Sequence, residues 1–278
     1  MSRRLLPVWF ALAFAGGAVN ASALSACQRF VSHITGCLTR FAMDYTSLRL
    51  VFDYGAVVCA FVLGAMSSVW FLDGRRRRGL APYIAAPLGL VAVTLVLATV
   101  GGLMGYFGRF GTTVETNADF VLLGLLAFAM GLQNASVGTI TGMMVRTTHM
   151  TGPLTDFSVA LGSYARIPEV RAPARRDLTL RGVKMLGFLA GAFVAAVLAR
   201  RVEYSAFLLP AGIIAVCSYL LSTAVATAEK EAHPEHSSAP LPAKQDVPHP
   251  SSVSLAPNAV HANHSESAPS SVPSLAGS

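Results

Sequence analysis

Apolar residues fall into long, mostly uninterrupted runs. Six of them, over 5–24, 50–72, 82–106, 119–137, 180–199 and 204–226, are each long enough to cross hydrocarbon as an α-helix, which takes about 20 mostly apolar residues. The pattern predicts an all-α integral membrane protein of about six transmembrane helices. Trp9, Tyr54, Trp70, Tyr83, Tyr106 and Tyr204 lie near the predicted ends, where amphipathic rings favour the headgroup region. The first run, preceded by Arg3 and Arg4 and followed by Ala21-Ser22-Ala23, also fits the composition of a signal peptide. From about residue 227 the apolar pattern stops, and Ser, Pro, Ala and His dominate. Such a segment buries too little surface to offset its chain entropy. The expected organisation is a membrane domain over 1–226 and a disordered cytoplasmic tail over 227–278.

The two halves of the membrane domain share a motif. Asn20-Ala21-Ser22 is followed by His33-Ile34-Thr35-Gly36-Cys37-Leu38-Thr39-Arg40-Phe41, and Asn134-Ala135-Ser136 by His149-Met150-Thr151-Gly152-Pro153-Leu154-Thr155-Asp156-Phe157. Further on, Ala60, Gly64 and Ala65 match Gly187, Gly191 and Ala192, and Pro87 and Gly89 match Pro210 and Gly212. The order is kept, which points to two supersecondary units packed on each other. The units run from about 5 to 106 and from about 119 to 226. Each holds three spans. Three is odd, so the second unit enters from the opposite side, and two inverted three-helix repeats are expected.

Composition narrows the class. Of 278 residues, 53% are hydrophobic and 13% charged, with mean hydropathy +0.55; soluble domains carry about 25% charged residues. An ordinary soluble enzyme is excluded, and the partner is a lipid bilayer. The net charge of +7 reads as a topological signal, not a nucleic-acid-binding face. With the N-terminus in the cytoplasm, thirteen basic residues fall inside, including Arg3, Arg4 and the Arg75–Arg78 run, against six outside. Both termini are therefore expected in the cytoplasm. The four cysteines lack CxxC spacing, so neither a metal site nor a disulfide framework is implied. The tail histidines, His233, His236, His249, His261 and His264, fit no compact metal site. No nucleophile elbow, zinc-protease, Walker or dinucleotide motif occurs, so no catalytic residues, cofactor or enzymatic role are expected.

The two Thr-Gly-x-Leu-Thr elements, with Gly131-Leu132-Gln133-Asn134-Ala135 opening the second copy, resemble the YoaK family of bacterial membrane proteins (domain of unknown function 1275) over about residues 5–226. The resemblance implies a multi-spanning bacterial inner-membrane protein with no established activity. The family's first copy usually carries Gly-x-x-Asp-Ala and Thr-Gly-Asn. Here Asn20 and Cys37 stand at those positions, so a mechanism that relies on a carboxylate there lacks it in this chain.

The motif residues admit two kinds of role. Asn20, Gln133 and Asn134 sit near the ends of apolar runs, where a bare amide is costly. They either coordinate a solute at a helix break or bond across helices and to freed backbone. Thr35-Gly36 and Thr151-Gly152-Pro153 can interrupt a helix and leave backbone groups free for an ion or solute, with Thr39 and Thr155 nearby; alternatively the glycines allow close helix contact. His33 and His149 either relay protons or act as plain hydrogen bonders. Gly101/Gly105, Gly138/Gly142 and Gly187/Gly191 have the spacing of helix-packing pairs, within the chain or along a homo-oligomer seam. Arg40 and Asp156 occupy equivalent positions with opposite charge. They form a cross-repeat ion pair if the motif segments meet, or sit at separate aqueous boundaries. The expected function is transport of a small solute through a site between the two motifs; the alternative is a membrane scaffold or sensor that binds a partner protein.

Overall fold

The computed structural model describes residues 5–77, 83–112, 117–141 and 146–232. Arg3, Arg4, Arg78, Gly142 and the tail beyond 232, with its five histidines, lie outside them. Every regular element among the described residues is helical. The α-helices are α1 (Leu6–Cys27), α2 (Ile34–Met43), α3 (Leu48–Arg76), α4 (Ala85–Leu103), α5 (Asn117–Ile140), α6 (Thr151–Arg166), α7 (Arg171–Val202) and α8 (Leu208–Ala232). Short 3-10 turns, Pro168–Val170 and Glu203–Phe207, precede α7 and α8.

The six expected runs fall on α1, α3, α4, α5, α7 and α8. Five stretches are long and apolar enough to cross a membrane; the fifth, Pro168–Val225, carries both α7 and α8. Those two helices are parted at Glu203, whose φ of 49° leaves the right-handed helical region. The chain is thus a multi-pass helical membrane protein. The apolar pattern places the end of the last helix six residues early, because the first polar residues after 226 continue its turns to Ala232.

Helix pairing follows the small residues. α1 packs along α7 and α5 along α3, with α8 on α1, α4 on α5, and α4 on α8. The absent side chains of Gly17 and Gly191 let α1 and α7 meet backbone to backbone, at Phe188 and Phe14 respectively; Gly131 and Gly64 do the same for α5 and α3, at Phe61 and Phe128. Gly187 lies against Phe10 one turn from Gly191, so this glycine pair serves packing within the chain. Gly101 and Gly105 do not form such a pair. α4 ends between them, and Gly105, at φ 79°, closes it: the Tyr106 N–H donates to Gly101 O (2.9 Å) and the Gly105 N–H to Gly102 O (3.1 Å). A left-handed residue after the last turn satisfies otherwise orphaned carbonyls, and glycine takes that conformation without a steric cost.

Three of the aromatic residues expected at an interface are core residues. Trp9, Tyr54 and Tyr204 are buried, whereas Trp70, Tyr83 and Tyr106 are exposed. Tyr54 packs edge-to-face on Phe120 with centroids 5.5 Å apart. Tyr204 lies over Gly102 and donates its hydroxyl to Phe107 O. A buried tyrosine needs such a partner, and hydropathy at a helix end does not reveal one.

Candidate functional site

The two motif copies begin where α1 and α5 end. A loop over 28–33 joins α1 to α2, and the described residues 146–150 form the loop that enters α6. The Asn of each copy ties its loop down. Asn20 Oδ1 accepts from the Ser32 hydroxyl (3.1 Å) and N–H (3.4 Å). Asn134 Oδ1 accepts from the Thr148 N–H (3.0 Å) and the Thr147 hydroxyl (2.9 Å), and its amide nitrogen bonds the Thr148 hydroxyl. Ser32 and Thr148 are equivalent, each standing just before the motif histidine. The two Asn residues therefore do the same work: a side-chain oxygen replaces the helical partner lost when the backbone leaves the helix. Gln133 adds a link between halves. Its side-chain nitrogen donates to Leu12 O of α1 (3.0 Å) and to the Thr147 hydroxyl (3.1 Å).

The Thr-Gly elements open helices; they do not interrupt them. Thr35-Gly36 lies in the first turn of α2, and Thr151-Gly152-Pro153 begins α6. First-turn N–H groups have no intrahelical partner, so Pro153 loses nothing there. The glycines make room for their own motif histidines. A Cβ at Gly36 would stand 2.8 Å from His33 Nδ1, and one at Gly152 2.9 Å from His149 Nε2. Each imidazole thus lies across the first turn of the helix it precedes. Thr39 and Thr155 are spent inside those helices, donating to Thr35 O (2.8 Å) and Thr151 O (3.2 Å).

A cavity of about 850 Å³ is bounded by both copies. The first contributes Asn20, Ser32, His33 and Thr35; the second contributes Asn134, Thr148, His149 and Thr151. Phe30, Phe61 and Phe188 supply apolar wall, and Arg146 the lining's permanent charge. Six sequence-nominated residues, Asn20, His33, Thr35, Asn134, His149 and Thr151, thus meet around one space. Gly36, Gly152, Thr39, Thr155 and Gln133 are not among its lining residues. Burial and the nearby Lys184 and Arg146 lower the pKa of His149 below the usual imidazole value, which favours its neutral form. Burial raises the Cys37 thiol, against a smaller opposing effect of Arg29. Cys37 is therefore uncharged at neutral pH and does not replace a carboxylate.

Arg40 and Asp156 do not pair with each other. α2 packs on α3 and α6 on α7, so the two charges sit on helices with different packing partners. Asp156 meets Arg181 of α7 at 3.1 Å, and Asp177 lies 3.9 Å from the same guanidinium. The Asp156 side chain is 56% exposed, and exposed pairs contribute at most about 1 kcal/mol. A double-mutant cycle read by melting in detergent should give a small coupling between Asp156→Ala and Arg181→Ala. The same cycle with Arg40→Ala should be additive. A larger Arg40–Asp156 coupling would contradict this arrangement.

Ser32, Thr147, Thr148, Arg146 and Lys184 were not nominated from the sequence. For Ser32 and Thr148 the signal was present: the repeat extends one residue upstream as a hydroxyl residue before His. Lys184 lies inside an apolar run with Arg181 one turn before it, and a cation there is by itself a reason to ask what it serves. It is 4% exposed and donates to the His149 carbonyl at 2.8 Å.

Fold and site define a multi-spanning helical membrane protein with a cavity lined by a repeated motif. The chain belongs to the family described as protein of unknown function (DUF1275), whose model matches residues 8–220, as the Thr-Gly-x-Leu-Thr elements implied. No curated protein and no solved structure matches it.

Proposed function

We propose that this protein is a small-solute transporter or permease of the bacterial inner membrane, with its site in the cavity between the two motif copies. The observation that carries this reading is the convergence of both copies on one space. A motif kept only for packing has no reason to line a cavity with its polar residues. Secondary transporters place their sites at the interface of internal repeats, where helices begin or end, and α2 and α6 begin here. Equivalent crossings support an inverted 3 + 3 arrangement: Gly17–Phe188 answers Gly131–Phe61, and Gly191–Phe14 answers Gly64–Phe128. Three spans per half invert the second copy. The protein carries no enzymatic chemistry in this reading and needs no cofactor.

The basic residues put both termini in the cytoplasm. A reporter fused after residue 232 is then active only on the cytoplasmic side; a periplasm-active fusion would remove both the orientation and the inversion. Transport is tested by flux of a broad solute panel into proteoliposomes of purified protein. Saturable uptake that falls with Thr151→Ala is expected. Absence of flux across the panel, with one reproducible crosslinked protein partner, would replace transporter with scaffold.

A further inference from the structure

The cavity is electrically one-sided. At its second-half end, Arg146 lines the wall beside His149, and Lys184 stands directly behind, its ammonium on the His149 carbonyl. Among the described residues no Asp or Glu lines the cavity. The carboxylates of α6 and α7, Asp156 and Asp177, are both engaged by Arg181, and no ion pair among the described residues involves Arg146 or Lys184. Burial first, then Lys184 and Arg146, lower the basicity of His149, so both cations act in the same direction on this residue of the cavity wall. The first-half end lacks the counterparts of this pair: Phe30 lines the cavity where the second copy has Arg146, and the position of α3 equivalent to Lys184 is Val57, also buried; Arg29 of the first-copy loop is not among the lining residues.

A buried ammonium held only by a neutral carbonyl is costly, and an opposite charge nearby offsets that cost. Arginine suits an oxyanion because its planar fork matches two oxygens. The uncapped first turn of α6, at Met150 and Thr151 on the cavity wall, adds N–H groups of the same sign. The wall also carries apolar rings, Phe61 of α3 and Phe188 of α7, the latter one turn on from Lys184. We infer that the cavity binds an organic anion, its carboxylate- or phosphate-like head at Arg146, with the Lys184 charge behind the wall, and its apolar body against Phe61 and Phe188. This rests on the transport reading only for what becomes of the ligand, not for its binding. The oxyanion has two sources, a free solute or the headgroup of an anionic lipid.

The test uses the purified full-length protein in detergent, with benzoate, its uncharged isostere benzamide and inorganic phosphate as probes, read by calorimetry and melting. Benzoate should bind saturably, and benzamide at least tenfold more weakly. Arg146→Gln, at an exposed side chain and so expected to fold, should cost benzoate tenfold or more; Lys184→Met serves as a second variant. Phosphate, lacking the apolar body, should bind more weakly than benzoate with the same dependence on Arg146. In nanodiscs, phosphatidylglycerol should compete with benzoate if the natural head is a lipid's and leave it untouched if it is a solute's; the site stands either way. Equal binding of benzoate and benzamide, or anion binding indifferent to both substitutions, would overturn the inference and leave these residues as topological anchors. Anion binding without flux would remove the transport reading alone. Uptake of a neutral or cationic solute unaffected by Arg146→Gln would remove the anion site alone.

Discussion

Gly191→Ala and Gly64→Ala should each lower the melting temperature of the extracted protein sharply and broaden its size-exclusion profile. In an exposed helix interior the same change helps, since alanine is favoured over glycine by about 1 kcal/mol. Here the added Cβ falls on backbone, that of Phe14 for Gly191 and of Phe128 for Gly64. A side chain in the way can rotate aside, but a neighbouring helix backbone has to move as a whole. Overpacking of this kind costs about 1–3 kcal/mol or more, and it strikes the α1–α7 and α3–α5 crossings that hold the halves together. The internal controls are Gly89 and Gly212, also helical and also matched between the halves. A Cβ there meets nothing within 4 Å, so Gly89→Ala and Gly212→Ala should melt at or slightly above the wild-type temperature. Wild-type behaviour of both Gly191→Ala and Gly64→Ala would mean that the helices do not cross at these glycines.

The same residues show what a sequence discloses in such a protein. Hydropathy suffices for the spanning helices, because lipid imposes one length and one chemistry on each. The repeated motif is visible too, and its polar members do gather. Partner choice is not visible. α1 lies on α7, far along the chain, and only the backbone approach at Gly17 and Gly191 explains why. The sequence pattern treats an amide, a threonine and a glycine near a helix end as equal candidates to touch a solute. Geometry separates them: Thr35 and Thr151 line the cavity, Thr39 and Thr155 bond their own helices, and Gly36 and Gly152 yield space to a histidine. Opposite charges at equivalent positions suggested a pair. Arg40 and Asp156 fail to meet because the repeat carries them to different helices, a consequence of symmetry that charge alone does not express.

Asn134→Ala should destabilise the protein severely, and more than Asn20→Ala. Asn134 serves three buried groups: the hydroxyls of Thr147 and Thr148 and the Thr148 N–H. Thr147 is fully buried and Thr148 nearly so. Alanine leaves the Thr148 N–H without a partner, and a buried donor left unsatisfied costs about 1–3 kcal/mol. The Thr147 hydroxyl keeps its bond from Gln133, which limits the added loss. Asn20 meets only Ser32, through a longer backbone contact and in a half-buried setting, where water can take over. Hydrogen exchange at Thr148 should accelerate in Asn134→Ala, while exchange in the first-copy loop stays unchanged. These readouts need no solute, and that separates the two roles an amide can have here. An Asn134→Ala protein that melts normally but no longer binds or moves a solute would make Asn134 a ligand. Lost stability with no solute present makes it the tie that shapes the cavity wall, which is the result expected from its three buried bonds.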